Sequence, residues 1–307
     1  LLQRTCGLGD HDTAEGVEEL VRRRVLHATG ERFDFTHDRI RETAYLAVLP
    51  PHRRALHVAI VEGIEQLYGP CLDDHVESIA HHAERGEIWD KAASYLRKAG
   101  INAAKRSAYR DALDRLERAL TALAQLAEGR ERTVRAIDIR LDMGPVLMAL
   151  KGAGANDVEN QYVRARELCE EINDTRRLFP ALWGLWYLEH MRGNPDRAGR
   201  MAERLLEVAR ENNDRDQLLE AHHSLWPILQ ERGDFAKARL HIEQGYTLYN
   251  PAAHRGLTFL YGDHDPGVCC RTLKARQLWL TGFPDQGLAA IQDAVSLARQ
   301  VGHPQTT

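Results

Sequence analysis

Lysine is almost missing from this chain. Only six of its 41 basic residues are Lys, and 45 acidic residues leave a formal charge of −4 over 307 residues. The arginine bias reads as codon composition, and the near-balance of charge argues against a dedicated nucleic-acid binder, which would carry a basic face. Cysteine is scarce: Cys6, Cys71, Cys169, Cys269 and Cys270 are odd in number and form no CxxC pair. They supply no disulfide framework and suit a reducing, cytoplasmic setting. Nowhere does an apolar run approach the roughly 18–20 residues that span a bilayer, so no membrane partner is expected. No basic segment followed by an apolar one opens the sequence, and no secretory signal is read there. The chain starts on Leu1 and not on Met, which reads as a piece of a longer protein.

Catalytic signatures are missing too. There is no GxxxxGK[ST] phosphate loop, no GxSxG elbow and no HExxH zinc clamp. No catalytic residue, cofactor or metal is assigned from the sequence, and the chain reads as a non-enzyme.

What is present is helical periodicity. In residues 111–120, Leu113, Leu116, Ala119 and Leu120 share one face, and Met201, Leu205, Val208 and Ala209 repeat the pattern. Strand-like alternation nearly vanishes after Asp38. The fold class is therefore all-α for about four-fifths of the chain.

The first 70 residues read differently. A helix is expected over residues 13–25 with Thr13 as its N-cap, then a β-hairpin turning at residues 29–32, a helix over 38–49 stopped by Pro50-Pro51, and another over 52–68. That order suits a small winged-helix-like module with one β-hairpin. Its 9 basic and 11 acidic residues give it a charge of −2, against the basic recognition face of a DNA reader. Packing or hinge work is the favoured role, and nucleic acid is an unlikely partner.

Residues 71–307 are self-similar. A turn glycine followed five residues later by a small residue recurs at Gly193/Ala198, Gly233/Ala238 and Gly282/Gly287. Gly86/Ala92 is a copy with one extra residue, Ser107/Ala112 one without the glycine, and residues 152–158 a weak one. The pattern is that of a helical hairpin: the glycine takes the left-handed C′ position, Asn194, Asp234 or Pro284 opens the second helix, and the small residue lets the helices approach. Neither helix can bury its stripe alone, so hairpins stack into a solenoid. Tetratricopeptide (TPR) repeats are the nearest likeness, although their period of about 34 is shorter than the steps of 40 and 49 here. Pro145, Pro180 and Pro227 fall inside first helices, and Asp265-Pro266 reads as an N-cap followed by Pro at N1.

Candidate sites are few. Trp183, Trp186, Tyr187 and His190 on one first helix, with His222, His223 and Trp226 on the next, are candidates to line a groove for a protein or peptide partner. Packing between repeats is the competing role. His75, His81 and His82 share a helix but miss the i, i+4 spacing of a metal clamp. Asp263, His264, Asp265, Cys269 and Cys270 crowd ligand types into one stretch, and the bland reading there, a capped helix start with buried thiols, is preferred.

Several segments carry a resemblance to a family. Residues 35–45 (FTHDRIRETAY), Arg53 to His57, His81-His82 and residues 89–99 (WDKAASYLRKA) resemble the end of a STAND-type ATPase region and its junction into repeats. Residues 261–270 (YGDHDPGVCC), in which Tyr261, Gly262, Asp265, Pro266 and Gly267 stand out, and residues 278–288 (LWLTGFPDQGL) resemble the repeat arm. The family is that of bacterial multidomain signalling proteins in which a class III adenylyl/guanylyl cyclase, or a kinase, precedes the ATPase. The resemblance implies a regulatory, effector-sensing segment whose partners are proteins, peptides or other domains of its parent. It implies ATP and cyclic-nucleotide chemistry only for the parent, because those motifs are absent from this chain. An inducer-sensing arm of a STAND-class transcriptional regulator and a static TPR scaffold are the alternatives.

Overall fold

The computed structural model of the chain describes residues 1–30, 32–254, 260–262 and 264–302. The fold is all-α, with one two-stranded sheet among the described residues. In order, the elements are α1 (Leu2–Cys6), α2 (Asp10–Arg22), β1 (Leu26–Thr29), β2 (Arg32–Phe35), α3 (Asp38–Ala47) and α4 (Pro50–Tyr68). A 3-10 segment (Gly69–His75) leads to α5 (Val76–Arg85), α6 (Trp89–Lys105), α7 (Tyr109–Leu123), α8 (Arg130–Lys151) and α9 (Asn156–Ile172). There follow α10 (Thr175–Met191), α11 (Pro195–Asn212), α12 (Arg215–Glu231), α13 (Phe235–Leu248), α14 (Pro251–His254), α15 (Pro266–Leu280) and α16 (Pro284–Val301). No described helix is long and apolar enough to cross a membrane.

Two compact units divide the chain: Leu1–Ala103 with Glu117–Ala127, and Ala104–Leu116 with Glu128–Thr307. Within the first unit α4 packs on the helices that follow residue 70. Val61 and Ile64 of α4 and Val76, Ile79, Ala80 and Ala83 of α5 are all buried, while α1 to α3 bury no residue of their own. Glu65 of α4 accepts from Lys91 Nζ at 2.6 Å and from Tyr95 Oη at 3.0 Å, and Arg54 pairs with Glu87 at 2.8 Å. The first two helices after residue 70 thus belong with α4.

The expected helix–hairpin–helix–helix order is present, with local corrections. The hairpin pairs Leu26 with Phe35 and Thr29 with Arg32, turning through Gly30 at φ +61°; Glu31 lies outside the described residues. Thr13 does not cap α2. The helix starts at Asp10, and the Thr13 hydroxyl donates back to the Gly9 carbonyl at 2.9 Å. The helix before Pro50-Pro51 ends at Ala47, and the prolines themselves open α4, where their missing N–H groups cost nothing.

A histidine pair joins α4 to α5. His57 Nδ1 lies 2.7 Å from His82 Nδ1, and Tyr45 Oη lies 3.2 Å from His57 Nε2. Burial, with the neighbouring His57 and His81 adding to it, pulls His82 from the ordinary 6.5 down to about 4. Burial lowers His57 as well, helped by His81, Arg85 and Arg53. Between those two pH values the unfolded chain binds more protons than the folded one, so stability present above pH 6.5 is lost as the pH falls toward 4. His82 is only half-buried, and solvent screening reduces its share to on the order of 1 kcal/mol. Urea titrations at several pH values should therefore show a shallower acid loss for His82→Gln than for the unchanged chain. Equal slopes would remove the pair from any acid response.

The turns at Gly193, Gly233 and Gly282 follow one register, whereas at the weak copy Gly152 (φ +88°) donates to the Met148 carbonyl four residues before it. Gly193, Gly233 and Gly282 have φ of +73°, +76° and +92°. Each donates its N–H to the residue three before it, and the next residue donates to the residue five before itself, as in Asn194 to Glu189 O at 3.0 Å. This double bond pattern is the Schellman closure. At the fourth copy the left-handed residue is Glu87 (φ +55°), while Gly86 stays right-handed. The extra residue therefore disappears: Glu87 to Ala92 is the same five-residue step. Ser107 (φ +60°) to Ala112 repeats it without a glycine. Ala92, Ala112, Ala198 and Ala238 are fully buried. At Gly287 a Cβ would meet the Ala275 carbonyl at 3.0 Å, so the small residue is required by close approach of α15 and α16.

The joints between hairpins escaped the sequence reading. Asn173 and Asn213 take left-handed backbones at φ +54° and +49°, and the next residue, Asp174 or Asp214, caps the following helix. Asp174 accepts from the Arg177 N–H at 3.0 Å, and Asp214 accepts from Asp216 and Gln217. The Asn-Asp pair, repeated 40 residues apart, is the legible signal. Asp234 and Asp265 cap α13 and α15, and Pro195, Pro266 and Pro284 stand at N1, all as expected. Pro145, Pro180 and Pro227 lie inside α8, α10 and α12.

Candidate functional site

Aromatic side chains concentrate where α10, α11 and α12 pack. Phe179, Trp183, Trp186, Leu205, Leu225 and Tyr261 belong to one buried cluster. Trp183 stacks on Tyr187 at 5.3 Å and 16°, and Trp186 on His190 at 5.5 Å and 7°. Trp226 is fully buried with Ile242 and Cys270, close against Gly245. Of the seven residues expected to line a partner groove, Trp183, Trp186, His222, His223 and Trp226 are buried in the second unit, and Tyr187 and His190 are half-buried. The physical reason is apolar area: an indole face gains more from closure by a neighbouring repeat than from water.

The joint after α13 is built differently from the Asn-Asp joints. Residues 249–265 replace that two-residue link, of which 255–259 and 263 lie outside the described residues. Its described parts return to the first helices. His254 Nε2 lies 3.1 Å from Asp216 Oδ1, and Tyr261 packs edge-on against Trp183 at 5.3 Å and Phe179 at 6.1 Å. Gly262 takes φ +77° beside Trp183, where a Cβ would stand 2.9 Å from the indole. Asp265 accepts from the Val268 N–H and from the Tyr249 hydroxyl, both at 2.9 Å, and buried Gly267 makes room for the Tyr249 ring. The loop residues Tyr261, Gly262, Asp265, Pro266 and Gly267 are thus those that seat this joint.

Under the joint runs a polar chain. Glu220 of α12 is fully buried; its Oε2 lies 2.9 Å from His223 Nδ1. His223 Nε2 lies 3.0 Å from His264 Nε2, and His264 Nδ1 donates to the Gly262 carbonyl at 2.9 Å. Burial pushes the Glu220 carboxyl up to about 8, with His264 and His254 opposing it. Burial also pulls His223 down to about 3 and lowers His264. A neutral Glu220 then donates to His223, which donates to His264, which donates to Gly262. The relay is satisfied in one direction, except that Glu220 Oε1 has no hydrogen-bond partner.

Cys269, half-buried on the first turns of α15, completes the group: one ligand atom each of His223, His264 and Cys269 lie within 4.8 Å of one another. Burial pushes the Cys269 thiol up to about 12, against the pull of the Trp226 indole. Cys270 is not part of the group; its thiol donates to the Ile242 carbonyl at 3.3 Å. Asp265 serves as cap, and Asp263 lies outside the described residues. Away from this group, His82 joins His57, and His75 packs on Tyr68 at 3.9 Å. The sequence reading missed His223 as a neighbour of His264 because 41 residues separate them.

The second unit also has an open groove of about 790 Å³ between α13 and α15. Tyr246, Leu278 and Phe283 line it with Arg239, Glu243 and Lys274. Lys274 Nζ sits 4.6 Å from the Tyr246 ring centre and the Arg271 guanidinium 4.8 Å. Phe283 is 52% exposed and Trp279 67%, large values for such rings.

No family model matches the chain. An uncharacterised protein of Rhizobium meliloti (strain 1021) is 28% identical over 289 residues, covering 92% of this chain and 27% of its own length. The chain thus spans about a quarter of that relative. Among solved structures, the Rap conjugation gene regulator of plasmid pLS20 in complex with the Phr* peptide matches 81% of this chain and 72% of its own, with a TM-score of 0.57 and 14% identity. NprR in complex with its cognate peptide NprX matches 95% and 80%, with a TM-score of 0.53 and 12% identity. A STAND protein with a tetratricopeptide repeat sensor from Pyrococcus horikoshii matches 97% and 47%, with a TM-score of 0.51 and 15% identity. The shared property is the fold: this chain is a TPR-like helical-repeat protein.

Proposed function

We propose that the chain is a non-catalytic sensing segment that captures a peptide stretch of a protein partner and passes its bound state to other domains of a longer protein. The open groove between α13 and α15 carries the reading. It offers the exposed Phe283 ring and the half-buried Tyr246 ring for anchoring and charges of both signs for orientation, the mixture that peptide grooves use. Two structures of this fold hold peptides, and a third is a sensor attached to a STAND ATPase, which supports the same assignment. Binding acts as a signal when it favours one arrangement of the parent over another. A STAND-type ATPase parent with a class III cyclase output rests on the sequence resemblance of residues 35–45, 89–99, 261–270 and 278–288. An inducer-sensing transcriptional regulator would use the groove in the same way with a different output.

Selection of a displayed random-peptide library on the purified chain tests this. Enriched peptides should compete for one site and lose at least tenfold in affinity with Tyr246→Ala/Phe283→Ala, whose thermal unfolding should stay near that of the unchanged chain. Failure to enrich, or binding indifferent to the double substitution, would overturn the groove. ATP hydrolysis and cyclase assays on the chain should show no turnover.

A further inference from the structure

The geometry points to a mononuclear site for a zinc-class divalent cation, held by His223 of α12, His264 of the long joint and Cys269 of α15. The donor set is the first reason. Two imidazoles and a thiolate are the ligands that Zn²⁺ prefers, and three protein ligands leave a fourth tetrahedral position for water or another donor. Spacing is the second. Tetrahedral Zn–N bonds of about 2.0–2.1 Å place two nitrogens roughly 3.3 Å apart. The Nε2 atoms of His223 and His264 stand at 3.0 Å, with the thiol drawn in from within 4.8 Å.

The surroundings supply the third and independent reason. Each imidazole is already oriented through its other nitrogen: His223 Nδ1 against Glu220, and His264 Nδ1 against the Gly262 carbonyl. A carboxylate or carbonyl behind each ligating histidine is the usual support of a metal site. Glu220 is completely buried, and its second oxygen is unpartnered. A buried carboxyl so poorly served is costly unless a charge nearby repays it. A cation on His223 would do so, because the negative charge of Glu220 would then be matched through the ring. His264 and Cys269 are half-buried, which leaves a way in for the ion.

Cys269 ligates as the thiolate, so loading releases its proton. Loading also ties together three pieces of chain distant in sequence: α12, the joint and the start of α15.

The test uses the full chain stripped with a chelator and titrated with zinc chloride or cobalt(II) chloride. The expected result is one ion per chain, release of protons on loading, and for cobalt the thiolate charge-transfer band and visible bands of a tetrahedral complex. Cys269→Ser should abolish the charge-transfer band, whereas Cys270→Ser should leave binding and spectrum intact. Glu220→Gln should weaken binding about 10–100-fold while keeping the spectrum. Zinc should also protect Cys269 from alkylation in the unchanged chain, a readout that needs no variant to fold. Absence of stoichiometric binding, a cobalt spectrum without the thiolate band, or the same spectrum from Cys269→Ser would each overturn the site.

Discussion

Trp183→Ala should cost the second unit about 3–5 kcal/mol, the range for emptying a fully buried indole site. Trp183 is completely buried. It contacts partners on three parts of the chain: Trp186 and Tyr187 on its own helix, His223 on α12, and Tyr261 on the long joint. These neighbours are themselves rigid rings and cannot collapse into the space. Trp183→Phe should cost less, since it keeps most of the apolar area. Urea unfolding followed by circular dichroism checks both values. If Trp183 lined an open groove, the alanine variant would stay near the unchanged chain in stability and lose only a partner. A double-mutant cycle with Tyr261→Ala should show coupling of about 0.5–1.5 kcal/mol, the usual extra worth of an aromatic pair.

Gly184→Ala should destabilise, reversing the ordinary rule for helices. In an exposed helix interior, alanine gains about 1 kcal/mol over glycine. Gly184 of α10 and Gly144 of α8 instead flank the side chain of Tyr162 on α9, and a Cβ would stand 2.4 Å from it at Gly184 and 2.2 Å at Gly144. Tyr162 is almost wholly buried and cannot step aside. Overpacking of this kind costs about 1–3 kcal/mol. The penalty should disappear when Gly184→Ala is made in a Tyr162→Leu background, where the slot is empty. Tyr162→Phe should be neutral or stabilising, because its buried hydroxyl has no partner to lose. Additive effects of Gly184→Ala and Tyr162→Leu would show that the glycine acts through backbone propensity alone.

These two predictions mark how far the sequence could be read. The hairpins were legible because their signals are local. A glycine at φ +73° and an alanine five residues on belong to one turn, and the physics of that turn lies within a dozen residues. Glu87 and Ser107 show the limit of reading by residue type, since left-handed backbones there sit on residues that rarely adopt them. The position in the turn, and not the glycine, is what repeats. Long-range matters were less legible. Trp183, Trp186 and Trp226 form a stripe at helical spacing whether they face a partner or the next repeat, and only the packing decides. The polar group needed three sequence-distant residues to meet. His264 and Cys269 stood out together, but nothing local announces that His223 and Glu220 lie beneath them.

The long joint between α13 and α15 has a wider consequence. Lengthening a connection costs only about 0.6 kcal/mol for each doubling, whereas inserting residues within a hairpin would break its turn register. A helical array can therefore acquire new chemistry at its joints without disturbing the stack that keeps it folded. In this chain residues 249–265 stand where the other joints have an Asn-Asp link, and they bring His254, Tyr261 and His264 onto the first helices. The stacked hairpins act as the chassis, and the joint is where one molecule can be made to differ from its neighbours.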